Sequence, residues 1–406
     1  MKRALAAGAA ATAVGGGVAL GGCAPSKEQQ FVELVSQGVE DEDIVTLAVA
    51  PEQVVEVTDF AEAAFEDYLE LQAIYELPLG SLVHQIDSSA ALVLLPGGEG
   101  KSLKGIGLLN LESGEVTSII DGPVTLGKNM VIYDARASRT GLIWVEFDLG
   151  DHRWRVRVAL LNGTEVGDSL LVEEGDADFE PPMLAVADNK FYWTVMPVAT
   201  GAASQEDSHL RALEFRQGES LGQRRPYTVL ASHGRMITNP LVTDGVVTFV
   251  PRVDTANVYY QLTALNCSDD RVLDFRVLPQ SLRVADALYR GETFSFSIEG
   301  NYEYADGLAH FGTYQERDDG SYLHVNRSPL SPVVYFKDCL IIKSPTNVVG
   351  VDPVGSKTFV IDAPPQSPKF GEALVGWGVQ DKVVTSSIRL AEHEGNMEVT
   401  VVRVFA

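Results

Sequence analysis

A hairpin that recurs along most of the chain limits its possible folds more than any other feature. A short apolar strand, a turn rich in Asp, Asn or Gly, and a second, longer apolar strand appear at 82–95 (LVHQIDSSAALVLL), 129–147, 183–196 (MLAVADNKFYWTVM), 240–250 (PLVTDGVVTFV), 282–298, 332–343 (PVVYFKDCLIIK) and 373–388. Successive copies start 41 to 57 residues apart, the period of four-stranded blades stacked around an axis. A lone hairpin is marginally stable in water, so neighbouring copies must cover one another. Third strands fit at 154–161, 210–215, 258–265 and 308–314, and fourth strands at 116–120, 272–277 and 358–361. The expected fold is all-β: a β-propeller over residues 43–406, with seven four-stranded blades and six as the alternative count.

The second copy can be read down to its register. With Gly150-Asp151 as a two-residue turn, Phe147 faces Trp154, Val145 faces Val156 and Ile143 faces Val158. The opposite face then pairs Asp148 with Arg153, Glu146 with Arg155 and Trp144 with Arg157. One face is apolar and the other carries opposite charges in register. A slip of one residue destroys both patterns.

The ends of the chain supply a closure. After the seventh hairpin one further strand fits, at 397–405, leaving that sheet a strand short. An apolar segment is left over near the other end, at 44–49 (IVTLAV) or 54–57 (VVEV), and pairing it with the last blade would cover an open edge. Residues 59–77 (DFAEAAFEDYLELQAIYEL) place Phe60, Ala64, Tyr68 and Leu71 on one side of a helix. A short amphipathic helix capping the ring is expected there.

Lys2 and Arg3 precede an uncharged Ala/Gly/Val-rich run over 4–22 that ends in Leu20-Gly21-Gly22-Cys23. The run is barely long enough to span a bilayer and is rich in glycine, which favours an export leader over a membrane helix. Its end resembles the lipobox of bacterial lipoproteins. That resemblance implies cleavage of residues 1–22, a diacylglyceryl thioether on Cys23, and anchoring to the outer face of the bacterial cell membrane. Residues 23–42 are polar and acidic and read as a tether. Against 31 Lys+Arg stand 56 Asp+Glu, for a net charge of -25. Such a surface repels nucleic acid and anionic head groups and leaves cationic ligands, Ca2+ and other proteins as partners.

The string LIWVEFDLGDHRWRVRVALLNG at 142–163 and the hairpin LVTDGVVTF at 241–249 resemble blades of the TolB-like propeller superfamily. The resemblance implies a ring whose faces bind proteins or ligands, with enzymes a minority.

Candidate chemistry is sparse. Gly218-Glu219-Ser220-Leu221-Gly222 matches the G-x-S-x-G string of serine hydrolases, with His233 downstream, but Pro226 opens a strand where that chemistry needs a helix. Gly100-Lys101-Ser102 ends like a phosphate-binding loop, yet Leu95 stands where the first glycine belongs. His84, His152, His209, His233, His310, His324 and His393 show no metal-ligand spacing. The acidic runs at 40–43, 173–180 and 318–320 lack the ligand ladder of a calcium loop and read as solvated loops. Cys267 and Cys339 lie two repeats apart and are expected to stay unbridged. Trp144, Trp154, Trp193 and Trp377 sit in apolar strands and are expected in the core.

No catalytic residue, metal ligand or cofactor is assigned, and Cys23 as the lipidation site is the one residue with a role. The expected function is a noncatalytic, lipid-anchored envelope protein whose propeller face binds a protein, peptide or glycan. The alternatives are an extracellular carbohydrate-active or peptide-processing enzyme with carboxylates at the channel mouth, and a structural scaffold of an envelope complex.

Overall fold

The computed structural model describes residues 38–406 apart from 99–100, 217, 219, 327–330, 365–370 and 391–397. The chain is an all-β β-propeller. Among the described residues the strands form seven sheets, numbered here in order of their hairpins. The first runs from inner to outer strand as Leu82–Gln85, Ala90–Pro96, Leu103–Asn110 and Val116–Ile120. The second is built on Met130–Ala137, Gly141–Asp148, Trp154–Asn162 and Leu170–Gly175, and the third on Leu184–Ala187, Lys190–Val195, Ser208–Glu214 and Tyr227–Ser232. Leu241–Thr243, Val246–Phe249, Gln261–Asn266 and Val272–Val277 make the fourth, and Val284–Arg290, Thr293–Ile298, Gly312–Glu316 and Tyr322–Val325 the fifth. The sixth contains Val334–Phe336, Cys339–Lys343, Asn347–Asp352 and Lys357–Asp362. The seventh contains Ala373–Leu374, Val383–Leu390, Glu398–Phe405 and, from the other end of the chain, Leu71–Leu77.

Each sheet buries apolar side chains on both faces because each lies between two others. Among the described residues seven apolar clusters sit at the seams. Leu92, Leu94 and Ile106 of the first sheet meet Ile132, Leu142 and Trp144 of the second. Ile143, Val145 and Trp154 meet Phe191 and Trp193 of the third. The series continues through sheets three and four, four and five, five and six, and six and seven. It returns to its start where Val384, Val402 and Val404 of the seventh sheet pack on Val83, Ala91 and Val93 of the first. Burial at about 25 cal/mol per Å² of apolar surface makes these seams the main favourable contribution to stability.

A buried ion pair also joins sheets three and four. Lys190 Nζ, fully buried, donates to both Asp270 oxygens at 2.9 Å, with Glu214 at 3.7 Å. Tyr227 Oη donates to Asp270 Oδ2 at 2.7 Å.

The second hairpin has the register read from its sequence, with Phe147 opposite Trp154, Glu146 opposite Arg155 and Trp144 opposite Arg157. Its turn is longer than the two residues expected. Asp148 N donates to Arg153 O, and His152 adopts φ 55 within the loop. Its polar face differs as well. Glu146 is fully buried and accepts from Val124 N, Thr125 N, Trp144 Nε1 and Arg157 Nε. Arg155 turns instead to Glu174 at 3.6 Å. Part of a face that looks solvated in one hairpin is covered by the first sheet and by Val124 and Thr125, so the charge buried there must be individually partnered.

The N-terminal segment runs along sheets four to seven. Val39 N bonds Asp254 O and Leu47 N bonds Val277 O on the fourth sheet, so the chain already touches the body ahead of the tether boundary expected at 42. Val54–Glu56 then adds in parallel to the outer strand of the fifth sheet, and Ala61–Glu62 to that of the sixth. Leu71–Leu77 pairs antiparallel with Glu398–Phe405 and completes the seventh. Closure therefore uses 71–77 in place of 44–49 or 54–57. The expected helix over 59–77 is replaced by two 3-10 turns (Val57–Asp59 and Phe65–Asp67) and two strands. The open edge of Glu398–Phe405 offers a full ladder of backbone partners, and that outweighs the marginal helicity of so short a segment.

Candidate functional site

The turns between first and second strands all open on one end of the ring, together with the turns between third and fourth strands. Those of sheets one to four surround a cavity of about 590 Å³ lined by His84, Gln85, Asp87, Arg136, Arg139, Asp188, Asp244 and Cys267, among others. Its remaining wall comes from Trp377, Val379 and Gln380.

That wall is a crossing segment. Gly378–Val379 pairs in parallel with the inner strand of the sixth sheet, while Trp377 Nε1 donates to Val242 O and Val379 N to Thr243 Oγ1 of the fourth. Gly376 abuts Gln85 of the first sheet, and Arg136 of the second lies 5.8 Å from the Trp377 ring centre. A segment that touches inner strands of four sheets runs through the axis. Gly378 makes the passage possible: its φ is +68, and a Cβ there would sit 2.3 Å from Thr243 Oγ1.

Local turn chemistry sets the polar wall. Asp87 accepts from Ser89 N, Ser89 Oγ and Ala90 N, which closes the first turn, and Arg139 Nε reaches its other oxygen at 2.7 Å. Burial raises the Asp87 carboxyl, but the Ser89 hydrogen bonds and Arg139 outweigh it and hold the group below its ordinary value. A bulge in the inner strand of the second sheet, between Ile132 and Asp134, brings Asp134 to Arg136. Arg136 also donates to Ala135 O and to His84 Nε2 at 3.1 Å. Guanidinium only donates, so His84 Nε2 accepts and its proton sits on Nδ1. Burial first, and Arg136 second, depress His84 well below the usual histidine range, and the ring is neutral. In the fourth sheet Asp244 (φ 50) and Gly245 (φ 74) form the two-residue turn that matches strand twist.

This arrangement suits recognition better than covalent catalysis. Cys267 is the most nucleophilic atom type on the wall, but burial pushes its thiol up to about 11, where it stays protonated. Ser268 Oγ donates to Asn266 Oδ1, and Ser138 Oγ bonds Thr140 Oγ1. Among the described residues no group of three His, Cys, Asp or Glu is placed to hold a metal ion.

The residues singled out from sequence are mostly elsewhere. Ser220 is exposed before the strand Tyr227–Ser232 and His233 follows it, so about 20 Å of strand separates them. Lys101 and Ser102 belong to the hairpin turn before Leu103, while Gly100 lies outside the described residues. Of the histidines, His310 and His324 stack at 6.5 Å, and His324 also bonds Glu56 at 2.8 Å. His233 lies between Asp207 and Asp254, at 3.5 and 3.4 Å. His152 is in a turn, His209 is on the third strand of the third sheet, and His393 is outside the described residues. Cys267 and Cys339 are free, buried in different seams. Trp144, Trp154 and Trp193 are core residues, whereas Trp377, expected with them, lines the cavity. Cys23 falls outside the described residues.

Sequence reasoning passed over Asp87, Asp188 and Asp244 as turn formers. Their common place in the first, third and fourth repeats was the available signal, because equivalent turns share one end of a ring.

No family model matches the chain, and no curated protein matches it. Solved structures do. A prolyl endopeptidase, studied for the role of inter-domain dynamics in catalysis and specificity, aligns with a TM-score of 0.52 and 11% identity over 82% of this chain and 47% of that one. The β-propeller domain of the trilobed protease from Pyrococcus furiosus aligns at 0.42 and 10% identity, over 68% of this chain and 83% of that one. An oligogalacturonate lyase in complex with manganese aligns at 0.42 and 9%, over 82% and 97%. The chain thus spans about half the length of the prolyl endopeptidase, and the likeness is one of fold alone.

Proposed function

We propose that the protein is a noncatalytic binding module, held to the outer face of a bacterial membrane through a lipid on Cys23, whose turn-bearing end captures a protein, peptide or glycan. Seven blades, one for each sheet and seam, form the ring in this reading. The observation that carries it is the axial cavity: walled by four sheets and the 375–380 segment, rich in fixed hydrogen-bonding groups, and with its Cys and Ser side chains protonated or engaged. Cavities of several hundred Å³ with a few oriented polar groups are the usual form of a ligand site. The Lys2-Arg3 leader and Leu20-Gly21-Gly22-Cys23 support the anchor.

Two measurements test the proposal. Cys23→Ser is expected to move the protein from the membrane to the soluble fraction and to abolish incorporation of labelled palmitate. Peptide and glycan arrays probed with the protein are expected to give ligands whose binding is lost on Trp377→Ala.

One observation supports the enzyme alternative: three carboxylate residues, Asp87, Asp188 and Asp244, line the same cavity. Turnover of a glycan or peptide that disappears in Asp188→Asn or Asp244→Asn would replace the binding reading with that one.

A further inference from the structure

Resting on the reading of Cys23 as a lipid anchor, we infer that the end of the ring opposite the cavity docks on the bilayer surface through an apolar patch on the second sheet. The cavity then points away from the lipid.

Two neighbouring loops build the patch. Residues 121–129 lead from the first sheet into the second, and 149–153 join the second and third strands of the second sheet. Successive strands alternate in direction, so loops of these two kinds open at the end away from the cavity. Leu149 N donates to Asn129 O and Val124 N to Glu146 Oε1, which fixes the loops side by side. Leu126 is 95% exposed and Leu149 52%, with Val124 half exposed beside them. Tyr133, half exposed on the inner strand with its ring 5.5 Å from that of Phe147, extends the patch. Apolar side chains clustered in water on adjacent loops gain nothing from folding and mark a contact surface.

What covers the patch follows from where the chain enters the ring. The first described residue, Gly38, lies against Asp254, and Val39 N donates to Asp254 O. Asp254 belongs to the loop between the second and third strands of the fourth sheet, at the same end as Leu126 and Leu149. Residues 24–37 alone separate Gly38 from Cys23, and a chain of that length reaches at most about 50 Å. A lipid on Cys23 therefore tethers this end of the ring, and the bilayer is the apolar phase within its reach. Charge agrees with that occupant. The two loops set Asp121 and Asp151 against Lys128 and Arg153, while Asp148 accepts from Gly150 N and Asp151 N. On a molecule of net charge -25, such a balanced surface is repelled little by phosphate head groups. Lys128 and Arg153 have stems long enough to keep their charges at head-group level while the leucines enter the acyl boundary. Elsewhere on this end Asp176, Asp178, Asp207 and Asp254 make the third and fourth sheets acidic, which confines the contact to the side of the second.

The test uses the protein extracted from the membranes of cells that express it and reconstituted into phosphatidylcholine vesicles, with a bimane label on Leu126→Cys or on Val354→Cys. Val354 is the control, 84% exposed at the turn between the third and fourth strands of the sixth sheet, on the cavity end. Cys267 and Cys339 are buried, with thiols that burial pushes up to about 11, so they stay protonated and compete little for the label. Phosphatidylcholine with a nitroxide on its acyl chain is expected to quench the label at 126 several-fold more than the label at 354. Leu149→Asp is expected to bring quenching at 126 down to the level at 354. Equal quenching at the two positions in protein that carries its lipid would overturn the docking and leave the anchor standing. Shielding of the label at 126 in detergent alone, together with a dimer in sedimentation, would overturn the bilayer as occupant and assign the patch to a second copy of the chain. Protein recovered with no lipid on Cys23 would overturn the anchor, and the docking with it.

Discussion

Removing the charge of Asp270 should strand Lys190, which is wholly enclosed between sheets three and four. Lys190 Nζ has both Asp270 oxygens at 2.9 Å, Glu214 at 3.7 Å and the rings of Tyr192 and Tyr227 at 5.9 and 5.7 Å. Asp270 adopts φ 57, which asparagine tolerates as readily as aspartate, so Asp270→Asn alters charge with little backbone cost. The amide oxygen can still accept from Tyr227 Oη. What changes is that the buried ammonium keeps, among the described residues, one anionic neighbour, Glu214, itself 41% exposed and beyond hydrogen-bond range at 3.7 Å. Breaking a buried pair on one side costs about 3–5 kcal/mol, and the residual Glu214 contact places this case near 3. Replacing both partners removes the stranded charge, so Lys190→Met in the Asp270→Asn background should recover most of the loss. Equilibrium urea unfolding at neutral pH, followed by tryptophan fluorescence, measures all four corners of the cycle. A loss below about 1 kcal/mol in Asp270→Asn, or a double variant no more stable than that single one, would refute the reasoning.

Asp286 is enclosed beside Ser297, and burial lifts its carboxyl from 3.8 to about 7 despite the Ser297 hydrogen bond. The folded form then keeps a proton that the unfolded chain releases near pH 4. Its contribution is present below pH 3.8 and is lost as pH rises to about 7, at up to about 1.4 kcal/mol per unit. Asp286→Asn should flatten that slope, which urea midpoints at three pH values would reveal. Gly378→Ala forces a Cβ against Thr243 at a positive φ; a loss of about 1 kcal/mol from the backbone alone, plus a shift in Trp377 emission, is expected, and an unchanged melting curve would contradict the axial passage. A chain lacking residues through Leu77 leaves the edge of Glu398–Phe405 uncovered and should aggregate in sedimentation runs, whereas one lacking residues through Gly38 should stay monodisperse.

All seven hairpins were legible in the sequence, and the second could be read to its register, because alternation of side chains and turn chemistry are properties of a few adjacent residues. The segment 59–77 shows where local information ends. Phe60, Ala64, Tyr68 and Leu71 fit a helical stripe, yet Ala73, Tyr75 and Leu77 equally fit one face of a strand, and the choice was made by the distant edge at Glu398–Phe405. Trp377 likewise reads as a core residue until its segment is seen to leave the seventh sheet and bond to the fourth. The cavity was hidden for the same reason. Asp87, Asp188 and Asp244 were each visible as turn residues, but that they line one cavity depends on the curvature of the ring, which arises from the packing of every seam together. Patterning along the chain determined the strands and the chemistry of their turns; which turns share a space, and which charges in it find partners, was decided only when long-range burial brought the ends of the chain together.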